Sequence, residues 1–71
     1  MIRGMVEQLS DRLASEGGPA ADWARLITSL GVLGEGERAK AILAEAEGRF
    51  AGRDADLAVI RAAAVQAGVA E

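Results

Sequence analysis

The sequence contains no cysteine, no histidine and no tyrosine, and only one proline, one tryptophan and one phenylalanine in 71 residues. Each absence removes a class of chemistry. Without cysteine there is neither a disulfide framework nor a thiolate metal site, and nothing fixes the redox compartment. Without histidine, the hydroxyls of Ser10, Ser15, Thr28 and Ser29 have no imidazole to activate them, and Lys40 is the sole lysine. The closest carboxylate pairs are Asp54/Asp56, Glu45/Glu47 and Glu35/Glu37. Side chains two apart on a helix face different ways, so none makes a convergent acid–base pair. Gly17, Gly18, Gly34 and Gly36 follow no strand and precede no Gly-Lys-Ser/Thr, so they read as turn punctuation, not as a phosphate cradle. No catalytic, metal-binding or cofactor-binding residue is therefore expected, and the chain is not expected to be an enzyme.

Charge and hydropathy remove further classes. The formal net charge is −3, and Lys40 and the seven arginines are scattered without a run. Nucleic-acid binding usually demands a basic face, so no such partner is expected. The apolar runs are far too short to span a bilayer, so this stretch is not expected to insert into a membrane. Met1-Ile2-Arg3 leads into an amphipathic stretch and not the continuous apolar core of a signal peptide.

What is present is alanine and helical periodicity. Of the 36 apolar residues 16 are alanine, which leaves 20 larger apolar side chains to build a core. That suffices for one small domain over residues 1–71, of a size that is often marginal alone. The chain is therefore expected to be a piece of a longer protein. Four helices follow from the spacing. The first covers about residues 2–15, with Ile2, Met5, Val6, Leu9 and Leu13 on one face. Glu16-Gly17-Gly18-Pro19 breaks it. The second runs from about Pro19 to Leu33, with Asp22 in its first turn, where a negative charge suits the helix dipole. Gly34-Glu35-Gly36 is short enough to force antiparallel neighbours. The third runs from about Glu37 to Phe50 and buries Ala39, Ile42, Leu43, Ala46 and Phe50. The fourth runs from about Ala55 to Ala67, with Asp54 expected as its N-cap and Gly68 as its stop. No alternating apolar/polar run is long enough for a strand, so the fold class is all-α, built of antiparallel helical hairpins.

The order Trp23, Leu26, Leu30, Gly34, Ala39, Leu43, Ala46 resembles one tetratricopeptide (TPR) repeat, a 34-residue helix–turn–helix unit. A shift by that period places Trp23 on Leu57, Leu26 on Ile60, Leu30 on Ala64 and Gly34 on Gly68. Backwards, it places Leu43 on Leu9 and Ala39 on Met5. The chain thus reads as one full repeat over about 20–53, flanked by helices at about 2–15 and 55–67. The resemblance implies a fragment of a right-handed α-solenoid. In such arrays the first helix of each unit lines a concave groove, which here implies Ala21, Ala24, Thr28 and Val32, continued by Ala58, Ala62 and Val65, as a peptide-binding surface. These residues are small and mostly apolar, which suits a trough for an amphipathic helix. Trp23 is expected in the core and not at a ligand.

The segment Met5-Val6-Glu7-Gln8-Leu9-Ser10-Asp11-Arg12-Leu13 adds a closer likeness. Met5, Val6, Glu7, Leu9, Arg12 and Leu13, followed by Trp23, Leu26, Leu33 and Gly34, resemble the opening of the periplasmic TPR domain of the CcmI (CycH) family of cytochrome c-type biogenesis proteins. That resemblance implies a chaperone role in cytochrome c maturation. The module would hold the C-terminal helix of an apocytochrome c, or another amphipathic helical peptide, beside other maturation proteins. It also implies a periplasmic location within a bacterial inner-membrane protein whose anchor is not in this chain. The alternative is a generic interaction or self-association module unrelated to haem.

Overall fold

The computed structural model describes residues 2–69, and these form four α-helices and no strand: α1 (Ile2–Glu16), α2 (Ala20–Val32), α3 (Gly36–Arg49) and α4 (Asp54–Gln66). The expected boundaries hold to within a residue or two, and the differences have local causes. Pro19 was expected inside the second helix but sits just before it, with extended backbone (φ −68°, ψ 156°). Its carbonyl still accepts the first turn's hydrogen bond, from the Asp22 N–H at 3.0 Å. Asp54 was expected as a cap but is the first residue of α4. Arg53 takes the cap position, makes no side-chain cap bond, and accepts the Leu57 N–H at 2.9 Å through its carbonyl. Asp54 and Asp56 then lie in the first turn, where their charge complements the helix dipole.

The ends of α2 and α4 are built alike. At Gly34 (φ +77°) the chain turns left-handed, Gly34 N–H donates to Gly31 O at 3.1 Å, and Glu35 N–H donates to Leu30 O at 2.9 Å. At Gly68 (φ +77°) the same pair recurs, from Gly68 N–H to Val65 O at 3.0 Å and from Val69 N–H to Ala64 O at 2.9 Å. Both are Schellman caps, which satisfy the last helical carbonyls and need a residue without a Cβ. The two helices also begin and end one repeat length apart, Ala20 against Asp54 and Val32 against Gln66. The buried sets correspond as well: Trp23, Leu26 and Leu30 match Leu57, Ile60 and Ala64, and all six are buried.

The core gathers around α2, which packs against all three other helices; α4 packs against both α2 and α3. α2 contributes Trp23, Leu26, Ile27 and Leu30, each no more than 1% exposed. Val6 and Leu13 of α1, Ala39 and Ala46 of α3, Phe50, and Leu57, Ile60, Ala63 and Ala64 of α4 close it. The small residues set the helix separations. Ala39 and Ala46 are fully enclosed. Gly31 lies so close to α4 that a Cβ there would stand 2.6 Å from the Ala67 Cβ. Ile42 and Leu43 were expected in the core but are half-buried at its margin, because α3 is covered on one side only. The side chains of Ile2 and Met5, which the spacing places on the inner face of α1, lie outside the described residues.

Arg49 fastens the C-terminal end of α1. Its guanidinium lies over the Trp23 ring, 5.3 Å from the centroid, and its Nη2 donates to the Ala14 carbonyl at 3.0 Å. That carbonyl is one of the last four of α1, which have no partner within the helix. Glu45 orients the guanidinium through bonds of 3.1 and 3.0 Å. Near the other end of α1, Arg38 of α3 pairs with Glu7 and, at 3.7 Å, with Glu35. The hydrogen bond and charge of Glu7, with the charge of Glu35, raise the Arg38 guanidinium above its ordinary pKa.

Candidate functional site

A cleft of about 650 Å³ opens between α1 and α2. Its apolar surface comes from Val6 and Leu9 of α1 and Val32 of α2. Thr28, Ser29 and Gln8 add neutral polar groups, and Arg12 and Arg25 bring two guanidinium groups. Among the described residues no carboxylate lines it. Arg12 approaches Asp22 at 3.8 Å, and Arg25 forms no ion pair among the described residues. In a chain of net charge −3, this is a local surface of opposite sign.

The cleft follows from helix geometry. α2 buries its Trp23–Leu26–Ile27–Leu30 side, so Arg25, Thr28 and Val32 fall on the opposite side, facing solvent or the edge of α1. α1 buries Val6 and Leu13, and Leu9, one turn from each, lies half-buried at the margin. A 3.6-residue period leaves such marginal apolar residues on the flanks of any stripe.

The seven positions expected to line a groove lie on α2 and α4, and two of them border the cleft. Thr28 and Val32 line the cleft, Ala24 is half-buried against the core, and Ala21 is exposed near the start of α2. Ala58, Ala62 and Val65 are exposed on α4 and do not border the cleft. Together with Ala55 and Val59 they make an apolar strip on that helix, bordered by the exposed Asp54 and Arg61. Sequence reasoning missed the contribution of α1. Leu9 and Arg12 carried a signal, since an apolar flank beside a cation is visible in the spacing, but no spacing says which neighbour α1 will lie against. Among the described residues the large apolar side chains that remain exposed are Val32 at 78%, Val65 at 59% and Val59 at 46%, one in the cleft and two on the α4 face.

The arrangement suits binding by shape and charge. Thr28 and Ser29 stand beside arginines, with no base nearby. Among the described residues no group of three or more His, Cys, Asp or Glu side chains could hold a metal ion, and no helix is long and apolar enough to cross a membrane. Four of the six paired carboxylates noted in the sequence join surface ion pairs: Glu45 with Arg49 at 3.0 Å, Glu47 with Arg61 at 3.0 Å, Asp56 with Arg53 at 2.9 Å and Glu35 with Arg38 at 3.7 Å. Such exposed pairs contribute little to stability, typically about 0–1 kcal/mol each. No protein-family model, curated protein or solved structure matches this chain.

Proposed function

We propose that this chain is a non-catalytic protein-binding module of TPR-like, right-handed α-solenoid type, whose cleft between α1 and α2 receives an amphipathic helix. The observation that carries the reading is the cleft itself. It presents Val32 and the half-buried Leu9 to solvent beside two arginines, a surface that an isolated domain has no folding reason to leave open. Its length along two helices suits helix-in-groove recognition, where apolar residues at successive turns of the ligand supply affinity. The 34-residue correspondence between α2 and α4 supports the repeat reading.

The Met5–Leu13 segment directs the choice of client. By its resemblance to the CcmI family, the module holds the C-terminal helix of an apocytochrome c during cytochrome c maturation, in the periplasm, as part of a membrane-anchored protein. The test is an NMR titration of the chain with that peptide. Saturable shifts at Leu9, Thr28, Ser29 and Val32, lost in Val32→Glu, are the expected result. No shifts at millimolar peptide, or shifts confined to the exposed side of α3, would sink the cleft as a client site. If other amphipathic helices bind equally well, the module is a generic one, without a role in haem-protein assembly.

A further inference from the structure

We infer, on the reading of the α1–α2 cleft as a helix site, that its occupant is an acidic amphipathic helix of a separate protein, seated with its first turn at Arg25 and its apolar side chains running on toward Val32. Charge is the first support. The chain carries 11 Asp and Glu against 8 Lys and Arg. Yet among the described residues the charged side chains that line the cleft are Arg12 and Arg25, both cationic. The two differ in what they already hold. Arg12 approaches Asp22 at 3.8 Å. Arg38, Arg49, Arg53 and Arg61 each hold a carboxylate as well. Arg25 is exposed and has no such partner among the described side chains. Its guanidinium fork is therefore open to a carboxylate from outside, which it can take on two parallel N–H donors. A basic helix would bring like charge to the same place and be rejected, so the two arginines act on the choice of partner.

The second support is that the cleft has a direction. α1 and α2 are antiparallel neighbours, and the Arg12–Asp22 contact sets their register. Counting on from it, Leu9 comes level with Arg25 and Val6 with Thr28. Both guanidinium groups therefore belong to the half of the cleft nearer the α1–α2 turn. Val32 ends the other half, two helical turns beyond Arg25 or about 10 Å along α2. Two turns of an occupant helix cover the same distance. A carboxylate set at Arg25 puts the apolar residue two turns on at Val32, and the one between them beside Leu9. Leu9 leans toward that midpoint, because helical side chains tilt toward their own N-terminus. The occupant's backbone then chooses which way it lies. Carboxylates are stabilised in the first turn of a helix and disfavoured in the last. The acidic turn at Arg25 is thus the first, and the occupant runs parallel to α2 and antiparallel to α1.

The experiment is an NMR titration of the full chain with three synthetic amphipathic helices of about 15 residues. All share one apolar stripe; they carry glutamates in the first turn, lysines in the first turn, or glutamates in the last turn. The glutamate-first peptide is expected to bind at least about fivefold tighter than the lysine-first peptide at low salt, with the gap closing in about 0.5 M NaCl. Arg25→Glu should reverse that preference. Arg25→Gln should erase most of it, and replaces Arg25→Glu if circular dichroism shows that variant to lose helicity. Arg12→Gln should change it less, since Asp22 already holds Arg12. A nitroxide on the first residue of the glutamate-first peptide should broaden the amides around Arg25 and spare those around Val32. Equal binding of the glutamate-first and lysine-first peptides overturns the inference and leaves the cleft standing as a helix site. Failure of all three at millimolar concentration overturns both, and decanoate shifting the same residues would then make the cleft a site for small amphipathic anions. A glutamate-last peptide that binds as tightly as the glutamate-first one, or broadening centred on Val32, overturns the direction assigned to the occupant.

Discussion

α2 and α4 are nearly the same helix in two different settings. Each has 13 residues, each ends on a glycine at φ +77°, and each buries residues at the same three positions. α2 is enclosed by three neighbours and carries the largest side chain of the core, Trp23, at 1% exposure. α4 has two neighbours, carries Leu57 at the matching position, and leaves two valines in solvent. Local sequence thus sets where a helix starts, stops and turns its apolar stripe. Its energetic weight is set by how many helices surround it.

The sharpest way to break the comparison is to truncate the matching residues. Trp23→Ala should destabilise by about 3–5 kcal/mol, because an enclosed indole leaves a cavity that three helices cannot jointly collapse around. A small domain has only a few kcal/mol in hand, so this variant is expected to be largely unfolded at 25 °C. Leu57→Ala should cost about 2–3 kcal/mol, the lower part of the range for a leucine, since α4 can shift inward. Denaturant unfolding followed by circular dichroism reads both. Equal costs would show that α4 is as firmly held as α2, and an unchanged midpoint for Trp23→Ala would remove the indole from the core.

The glycines sharpen it next. Gly31 faces α4 so closely that an added Cβ meets the Ala67 Cβ at 2.6 Å and its Cα at 3.0 Å. Gly31→Ala should therefore destabilise by about 1–3 kcal/mol through overpacking, despite the better helix propensity of alanine. Gly48 is also helical, but a Cβ there meets nothing within 4 Å. Gly48→Ala should stabilise by about 0.5–1 kcal/mol. Opposite signs at two helical glycines are the expected outcome in thermal melts. A stabilising Gly31→Ala would mean that α2 and α4 are not in close contact.

Much of this was legible in the sequence, for physical reasons. Trp23, Leu26 and Leu30 announce a helix face because side chains three and four apart must share a side. Gly34 and Gly68 announce stops because a left-handed residue excludes a Cβ cheaply only as glycine. Gly31 was not legible, since a glycine inside a helix looks the same whether it meets a neighbour or solvent. The cleft was half legible. Thr28 and Val32 follow from the repeat, whereas Leu9, Arg12 and Arg25 join them only because α1 crosses α2 where it does. Arg49 was invisible altogether, because its two targets, the Ala14 carbonyl and the Trp23 ring, are far from it in sequence.

The caps offer a finer comparison. Gly34→Ala and Gly68→Ala place the same strain, about 1 kcal/mol or a little more, on the same left-handed residue. Gly34 closes the α2–α3 hairpin, so the global fold should register the full amount. Gly68 only terminates α4, where one turn can fray instead. Global unfolding should report a smaller loss at Gly68, while hydrogen exchange of the Val69 and Gly68 amides accelerates. Equal global losses would make the end of α4 an integral part of the cooperative unit.

The smallest expected effect tests how α1 is held. Arg49 reaches from α3 across the Trp23 ring to the Ala14 carbonyl, and its side chain is 38% exposed. Solvent screens both the ion pair with Glu45 and the contact with the ring, so Arg49→Ala should lower stability by about 0.5–1 kcal/mol and no more. Arg49→Lys keeps the charge and loses the planar fork that serves ring, carboxylate and carbonyl together, so it should recover less than half of that. The readout is local as well as global. Removing the guanidinium exposes one edge of the only indole in the chain, so tryptophan emission should shift to the red in the folded state at unchanged helicity. Because the close backbone packing of α1 is with α2, loosening its last turn should also weaken the binding of any ligand in the cleft it walls. An Arg49→Ala protein with the parent's emission maximum and stability would leave α1 held by Val6, Leu13 and the ion pairs of Glu7 and Arg12, and would reduce the Arg49 contacts to ornaments of a surface already fixed by its core.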